Sequence, residues 1–292
     1  MAGTKEIKRR IKSVKNTKKI TRAMELVAAS KMKRAISQTL ASRMYAEYSW
    51  NLLTSLSERL EDTTHPFFEE NDNEKALIVL ITSNRGLCGG YNSQIIKKIM
   101  EMLKINNMDI VTIGKKGDHA MRRIGQNVIA SFLELPDTVD LNDINPISKY
   151  ITGEFKNYSK IYIAYTDFVS ALNQKPNVRQ LLPVSKEELK EVIESLGEGK
   201  KEVKEIKVPY LFEGNIAKIL SSLVEKLVQM QIYQMILESY ASEQSSRMVT
   251  MKNANEAAEE MVEDLTLVFN KARQAGITRE ISEISAGMAS MN

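Results

Sequence analysis

The stretch Ala76–Lys98, "ALIVLITSNRGLCGGYNSQIIKK", has the pattern of a strand that passes through a turn into a helix. Its first part, Leu77–Ile81, is an apolar run rich in β-branched residues and without alternation. Such a run is typical of a strand that is buried on both faces of a parallel sheet. The stretch therefore predicts one strand-turn-helix unit of an α/β domain.

The glycine-rich turn in this unit resembles a phosphate-binding loop. Gly86, Gly89 and Gly90 would let the backbone bend at positive φ and approach a phosphate at the start of the helix. A P-loop, however, requires a lysine and a hydroxyl residue after its last glycine, and here Gly90 is followed by Tyr91 and Asn92. The dinucleotide fingerprint also fails, because the glycines have the wrong spacing. We interpret the turn as structural, with nucleotide binding as the alternative.

Strand and helix alternate on both sides of this unit. The predicted strands are Leu77–Thr82, Ile110–Ile113, Val128–Phe132 and Ile161–Tyr165, and the predicted helices are Ser93–Ile105, Lys116–Ile124 and Ile144–Tyr158. This order predicts a mostly parallel sheet with right-handed crossovers. Asn177–Val184 is expected to add an edge strand, where Pro176 and Pro183 are tolerated. The charged stretch Lys186–Lys207 is expected to form a solvated helix and loop.

Two long segments without glycine or proline flank this domain, one between Gly3 and Pro66 and the other between Gly214 and Gly276. Each has about sixty residues and is expected to form one helix roughly 90 Å long. In the first segment, apolar or small residues recur every three or four positions, at Ile7, Ile11, Val14, Thr21, Met24, Ala28, Met32 and Ala35. The last segment repeats this spacing at Leu220, Leu223, Leu227, Met230, Leu237, Ala241, Met248, Met251, Ala258, Met261, Leu265, Phe269 and Ala272.

The matching stripes predict that the two terminal helices pack against each other as a long antiparallel coiled coil. The predicted fold class is an α+β composite, in which a small α/β, Rossmann-like domain is inserted between the helices. We place the N-terminal helix at residues 1–65, the α/β domain at 74–208 and the C-terminal helix at 214–287. Because Ala, Ser and Thr bury little area, the pair is expected to need a sheath of other proteins.

The composition excludes several functional classes. The chain has 292 residues, of which 43% are hydrophobic and 27% are charged, so it is too apolar for general disorder. Cys88 is the single cysteine, and with only His65 and His119 no usual metal-ligand spacing exists. Cys88 is interpreted as a small buried residue, with a Cys88/His catalytic pair as the alternative. No apolar run approaches the roughly 18 to 20 residues that span a bilayer, so we expect membrane contact only through partners.

Charge is concentrated at the N-terminal end. Residues 1–34 contain twelve Lys and Arg against two Glu, which leaves +10, although the formal net charge of the whole chain is only +4. This end favours an acidic surface, and three alternatives remain open: a shaft-like partner protein, a nucleic-acid-binding protein, and a merely solvated face. An apolar stripe on the same helix and the lack of aromatic residues before Tyr45 argue against nucleic acid.

Four blocks of sequence resemble the γ subunit of bacterial F-type ATP synthase. They are "IKRRIKSVKNTKKITRAMELVAASKMKRA", "SNRGLCGGYN", "SEQSSRMVTMKNANEAAEEM" and "LTLVFNKARQAGITREISEISAG", in family order over essentially the whole chain. The resemblance implies a central rotor shaft inside a ring of α and β subunits, with no catalytic site and no cofactor of its own. It also implies that the α/β domain binds the ε subunit and the membrane c-ring at the cytoplasmic face of the cell membrane, and that ion-driven rotation is coupled to ATP synthesis or hydrolysis at the β subunits.

The resemblance also implies contacts with the β subunit. Arg273 and Gln274, in "KARQAG", match the pair that hydrogen-bonds to a β-subunit catch loop. Lys8, Arg9 and Arg10 are expected to meet acidic β-subunit loops. For all five residues the alternative is a solvated helix face.

A second group of residues is expected to act within the shaft and at its tip. Met24, in "TRAMELVA", matches the shaft methionine that faces the opposite helix near Arg247, and a plain coiled-coil core position is the alternative. The residues expected where an apolar sleeve of the ring holds the tip are Ile277, Ile281, Ile284 and Met288. The ending "AGMASMN" departs from the family pattern in having Met288 after Gly287.

Overall fold

The structure is a computed structural model that describes residues 2–57, 66–69, 71–104, 108–133, 135–136, 139–184 and 216–291. Its helices and strands are α1 Ala2–Ser57, β1 Ala76–Ile81, α2 Tyr91–Leu103, β2 Met108–Ile113, α3 Lys115–Arg123, β3 Val128–Phe132, α4 Leu141–Glu154, β4 Ile161–Phe168, β5 Gln174–Leu182 and α5 Ile216–Met291. Short 3-10 turns lie at Pro66–Phe68 and Phe155–Asn157. The predicted helix within Lys186–Lys207 lies outside the described residues.

The chain divides into two compact units. The helical unit contains Met1–Ala29 and Arg247–Asn292, and the sheet unit contains Ser30–Ser246. Helices α1 and α5 therefore each contribute residues to both units. The domain boundaries placed at residues 65, 208 and 214 fall outside the described residues, so that three-part division stays a prediction.

The sheet unit is built on five strands in the order β3-β2-β1-β4-β5. β1 pairs in parallel with both β2 and β4, and β2 pairs in parallel with β3. The chain thus moves outward from β1 to β3 and then crosses to β4 on the other side of β1, which is the strand-order reversal of a Rossmann-like sheet. β5 pairs antiparallel with β4 at one edge and carries Pro176 there, as the sequence predicted.

Both faces of the sheet are covered, which explains the unbroken apolar run in β1. Ile78 and Leu80 are fully buried in a cluster that includes Ile95 and Ile99 of α2. On the opposite face, the β1 residues Leu77 and Val79 belong to a cluster with residues of α4 and α5. Side chains of β1 that point to either face are therefore apolar. Burying each of them stabilises the fold by about 1.5 to 3 kcal/mol.

Helix α5 also contributes to this core, which its apolar stripe alone did not predict. In the cluster that includes Leu77 and Val79, the α5 residues are Val228, Met230, Ile232, Tyr233, Met235, Ile236 and Leu237. The stripe that predicted a coiled coil therefore packs, over this part of its length, against the core of the sheet unit.

The helical unit is an antiparallel pair formed by the N-terminal part of α1 and the C-terminal part of α5. Lys18 Nζ and Glu259 Oε1 lie 2.6 Å apart and connect the two helices. Thr21 and Ala28 are buried on α1, and Met251 and Ala258 are buried on α5. These residues lie at the predicted stripe positions, and the small size of Thr21, Ala28 and Ala258 is typical of closely approaching helices.

Asp118 connects α3 to β3 in the sheet unit. Its Oδ1 accepts hydrogen bonds from Ser131 Oγ at 2.5 Å and from Arg122 Nε at 2.9 Å. Burial works to raise the pKa of Asp118, but the hydrogen bonds from Ser131 and Arg122, together with the charge of Arg122, outweigh it and hold the pKa below its usual 3.8. The ionised carboxylate is therefore favoured by folding.

We expect Asp118→Asn to lower the free energy of unfolding of the full chain by about 1 to 3 kcal/mol at pH 7. A carboxyl with a lowered folded pKa contributes stability above its unfolded pKa and loses it as the pH falls through the folded pKa. The difference between wild type and variant should therefore shrink once the pH falls below about 4. Urea unfolding at pH 7 and pH 3.5 measures this, with exposed Asp72→Asn as the control. A difference that is equally large at both pH values would contradict the prediction.

Candidate functional site

The loop between β1 and α2 lies at the carboxyl edge of the sheet, where α/β folds bind nucleotides. Gly89 has a φ of 55°, whereas Gly90 has a φ of −83° and lies in the helical region. The other residue of this loop with positive φ is Leu87, at 63°. The sharp bend predicted from three glycines is therefore made by one of them and a leucine.

Polar groups of this loop form hydrogen bonds with one another and with Asn92. Ser83 N donates to Asn92 Oδ1 at 3.0 Å, and Ser83 Oγ donates to the Arg85 carbonyl at 2.8 Å. Asn92 Nδ2 donates to Ser83 Oγ at 2.7 Å and to Cys88 Sγ at 3.2 Å. Cys88 is 2% exposed. This internal network supports the interpretation of the loop as a structural turn and of Cys88 as a buried packing residue.

Helix α5 covers the same edge of the sheet. Ser242 Oγ donates to the Thr166 carbonyl at 3.1 Å, and Ser246 Oγ donates to the Cys88 carbonyl at 2.7 Å. These contacts place α5 against the end of β4 and the β1–α2 loop, at the carboxyl edge of the sheet. Neither serine was predicted from the sequence to make such a contact, although small polar residues on an otherwise apolar helical stripe are a signal for it.

The predicted basic contact residues lie on the helical unit. Lys8, Arg9 and Arg10 are all exposed on α1. Arg10 is 3.0 Å from Glu6 on the same helix, with the side chains 67% and 52% exposed. An exposed pair of this kind contributes about 0 to 1 kcal/mol, so Arg10 can exchange Glu6 for another carboxylate at little cost.

A cluster of acidic residues on α5 lies in the same unit as this basic face and was not predicted from the sequence. The exposed ones in the helical unit include Glu256, Glu259, Glu260, Glu263 and Asp264. The helical unit therefore presents the basic helix α1 beside an acidic segment of α5, residues 256–264. Two neighbouring faces with opposite charge attract different partner surfaces.

The end of α5 carries the other predicted contact residues. Arg273 and Gln274 are exposed, while Phe269, Ala272 and Gly276 are half-buried on another side of the helix. From Ile277 to Ala286 every side chain is exposed. The predicted tip residues Ile277, Ile281, Ile284 and Met288 are between 48% and 63% exposed and form an apolar stripe at helical spacing.

Met24 and Arg247 are less exposed to solvent than the contact residues at the end of α5. Met24 is half-buried on α1, which fits a coiled-coil core position. Arg247 is 8% exposed on α5. The closeness of the two side chains to each other stays a prediction.

Comparison with known sequences identifies the family. The sequence model of the family described as ATP synthase matches residues 3–291. The ATP synthase gamma chain of Coxiella burnetii (strain Dugway 5J108-111) is 40% identical over 300 residues, and that of Legionella pneumophila (strain Corby) is 35% identical over 298 residues. Each alignment covers 100% of this chain and 100% of the relative. The chain belongs to the ATP synthase gamma chain family. As a gamma chain it is a non-catalytic subunit of the central stalk, the rotor shaft of the enzyme.

Solved structures agree with this gamma-chain fold. The central stalk/c-ring structure of Tetrahymena thermophila mitochondrial ATP synthase contains a chain that is 26% identical, with a TM-score of 0.60 over 80% of this chain and 99% of that chain. A chain of the Euglena gracilis mitochondrial ATP synthase OSCP/F1/c-ring structure has a TM-score of 0.70 over 99% of this chain and 95% of that chain. At 19% identity, the second likeness concerns the fold alone.

Two further findings concern membrane spans and metal ions in the described part of this gamma chain. None of the described helices is long and apolar enough to cross a membrane. Within the same residues, no group of three or more His, Cys, Asp or Glu side chains is arranged to hold a metal ion.

Proposed function

We propose that this gamma chain couples ion-driven rotation of a membrane ring to conformational change at catalytic β subunits. The observation that carries the proposal is the end of α5, where an exposed apolar stripe at Ile277, Ile281 and Ile284 begins just after Gly276, the last half-buried position. An exposed apolar stripe on a helix is the usual mark of a surface that other proteins enclose. The proposed partner is a ring of α and β subunits that encloses this end of α5.

The two charged faces of the helical unit supply the asymmetry that such coupling needs. A β subunit that meets the basic α1 face experiences a different field from one that meets the acidic α5 face. Each β subunit is thereby biased toward a different conformation and nucleotide affinity, although the three are chemically identical. Rotation exchanges these biases, and reciprocity requires that nucleotide hydrolysis drive rotation in the reverse direction.

The contact assignments belong to this proposal. Lys8, Arg9 and Arg10 meet acidic loops of the β subunits, and Arg273 and Gln274 hydrogen-bond to a catch loop. The sheet unit binds the ε subunit and the c-ring, and the assembly lies at the cytoplasmic face of a bacterial membrane. Support for a c-ring partner comes from the solved neighbours, which belong to c-ring-containing assemblies.

Coexpression with the α, β and ε subunits and the membrane sector of a bacterial ATP synthase tests the proposal. We expect the chain to copurify with these subunits, and membrane vesicles that contain it to pump ions when ATP is added. Subunits that are expressed without the chain are the control and should not pump.

Two outcomes would overturn the proposal. One is an assembled enzyme in which ATP hydrolysis and pumping do not depend on the chain. The other is tight binding of the isolated chain to duplex DNA with a steep salt dependence, which is the behaviour expected of the nucleic-acid alternative.

A further inference from the structure

Strand β4 continues past the end of its neighbour β1. The last β4 residue in register with β1 is Ala164, which pairs with Leu80. Thr166 lies two residues farther along β4, opposite Pro176 of β5. At this point β4 has no β1 residue beside it, so the backbone groups of Thr166 on that side have no ladder partner. The backbone of Thr166 therefore needs partners from outside the sheet.

Helix α5 supplies both partners. Thr166 N donates to Ser239 Oγ at 3.4 Å, and Ser242 Oγ donates to the Thr166 carbonyl at 3.1 Å. Ser239 and Ser242 are completely buried. Two side chains of a helix thus bind the backbone of β4 where a continuation of β1 would otherwise lie.

Further serines of α5 donate hydrogen bonds to two loops of the sheet unit. Ser245 Oγ donates to the Ala171 carbonyl in the β4–β5 turn at 2.7 Å. Ser246 Oγ donates to the Cys88 carbonyl in the β1–α2 loop, also at 2.7 Å. Tyr91, the first residue of α2, has its hydroxyl 2.7 Å from Ser239 Oγ. About two turns of one helix are therefore tied to three separate parts of the sheet unit.

These hydrogen bonds restrict motions that apolar packing leaves less defined. Elsewhere in the sheet unit α5 packs mostly through apolar side chains, whose contacts are non-directional. Its other hydrogen bonds there include those from Tyr233 Oη to the Val139 carbonyl at 3.2 Å and from Gln229 to Asn145. Hydrogen bonds weaken steeply when the donor or acceptor moves away from alignment. Bonds from one helix to three backbone segments therefore fix both the rotation of the helix about its axis and its position along that axis.

We propose that Ser239, Ser242, Ser245 and Ser246 are positioning residues that lock α5 to the sheet unit, so that torque passes between them without slip. The proposal rests on the proposed rotor function and deepens it, because the membrane ring is proposed to act on the sheet unit and the catalytic subunits on α5. These four serines, the serine lock, then transmit the torque between the sheet unit and α5. The lock matters most when rotation is driven against resistance.

The test uses complete ATP synthase in inverted membrane vesicles that carry Ser242→Ala, Ser245→Ala and Ser246→Ala together. We expect ATP synthesis at a fixed ion gradient to fall about fivefold or more per assembled complex. ATP hydrolysis without a gradient should fall less than twofold, because it proceeds under little load. The ratio of the two rates is the deciding measurement, since a merely structural defect lowers both rates in proportion to the amount of complex.

Exposed Ser222→Ala on the same helix is the matched control and should keep the wild-type ratio. If the triple variant does not assemble, the pair Ser246→Ala and Ser246→Thr makes the same comparison, because threonine keeps the hydroxyl and should restore the ratio. A wild-type ratio in the triple variant, or in Ser246→Ala when that pair is used, overturns the lock. A wild-type chain that supports no ATP synthesis overturns the proposed function instead.

Discussion

Replacing Gly114 with Ala is expected to destabilise the sheet unit by about 3 kcal/mol or more. Gly114 has a φ of 100°, and a Cβ added there would lie 2.1 Å from the carbonyl oxygen of Thr82. The backbone has little room to move away, because Gly114 N donates to the Phe132 carbonyl at 3.0 Å and Thr82 N donates to the Ile113 carbonyl at 2.8 Å. The strained φ and the clash therefore act together. Urea unfolding of the full chain measures the loss.

Gly153→Ala is the matched control for this substitution. A Cβ at Gly153, within α4, meets nothing within 4 Å. Alanine favours a helix over glycine by up to about 1 kcal/mol, so this variant should be as stable as the wild type or slightly more so. Equal unfolding midpoints for the Gly114 and Gly153 variants would contradict the close contact between Gly114, in the β2–α3 turn, and the Thr82 carbonyl after β1.

The second large effect is expected in the assembled enzyme. Arg273→Ala, and to a lesser degree Arg273→Lys and Gln274→Ala, should lower steady-state ATPase activity without preventing assembly. The guanidinium can form two parallel hydrogen bonds to a carboxylate, and lysine keeps the charge but loses this geometry. A hydrogen bond that involves a charged group contributes about 1.5 to 3 kcal/mol, so its loss at one rotary angle should reduce the rate roughly ten- to hundredfold.

Arg279→Ala controls for the removal of positive charge from the same helix. Arg279 is also exposed on α5, six residues beyond Arg273. We expect complexes with Arg279→Ala to hydrolyse ATP within about twofold of the wild-type rate. If complexes that carry Arg273→Ala and Gln274→Ala together assemble and hydrolyse ATP at the wild-type rate, the proposed catch-loop contact is wrong.

Sequence patterns predicted those parts of the fold in which one physical requirement dominates. Burial on both faces permits only apolar residues in β1, and the predicted strand Leu77–Thr82 differs from the observed Ala76–Ile81 by one residue at each end. The absence of glycine and proline likewise predicted the two long helices. The edge position of β5 followed from Pro176, because proline lacks the donor that a central strand requires.

Other features depended on information that a local pattern does not contain. An apolar stripe indicates which side of a helix is buried but not what buries it, so the packing of Val228 and Ile232 against the sheet core was missed. Leucine rarely adopts positive φ, so the conformation of Leu87 had no sequence signal. The exposed positions of Arg273 and Gln274 agree with a contact role, but they agree equally with a solvated face, and only the resemblance distinguished the two.

The participation of α5 in the sheet core has a consequence for biosynthesis. Val79 of β1 shares its cluster with Ile236, so these core partners are translated more than 150 residues apart. Contacts of such long sequence separation form late and slow the folding of a domain. While the ribosome is still making α5, one face of the nascent sheet lacks its cover and exposes apolar surface that favours aggregation. The rate of translation through the last third of the chain, and the chaperones that act during it, should therefore govern the yield of folded protein.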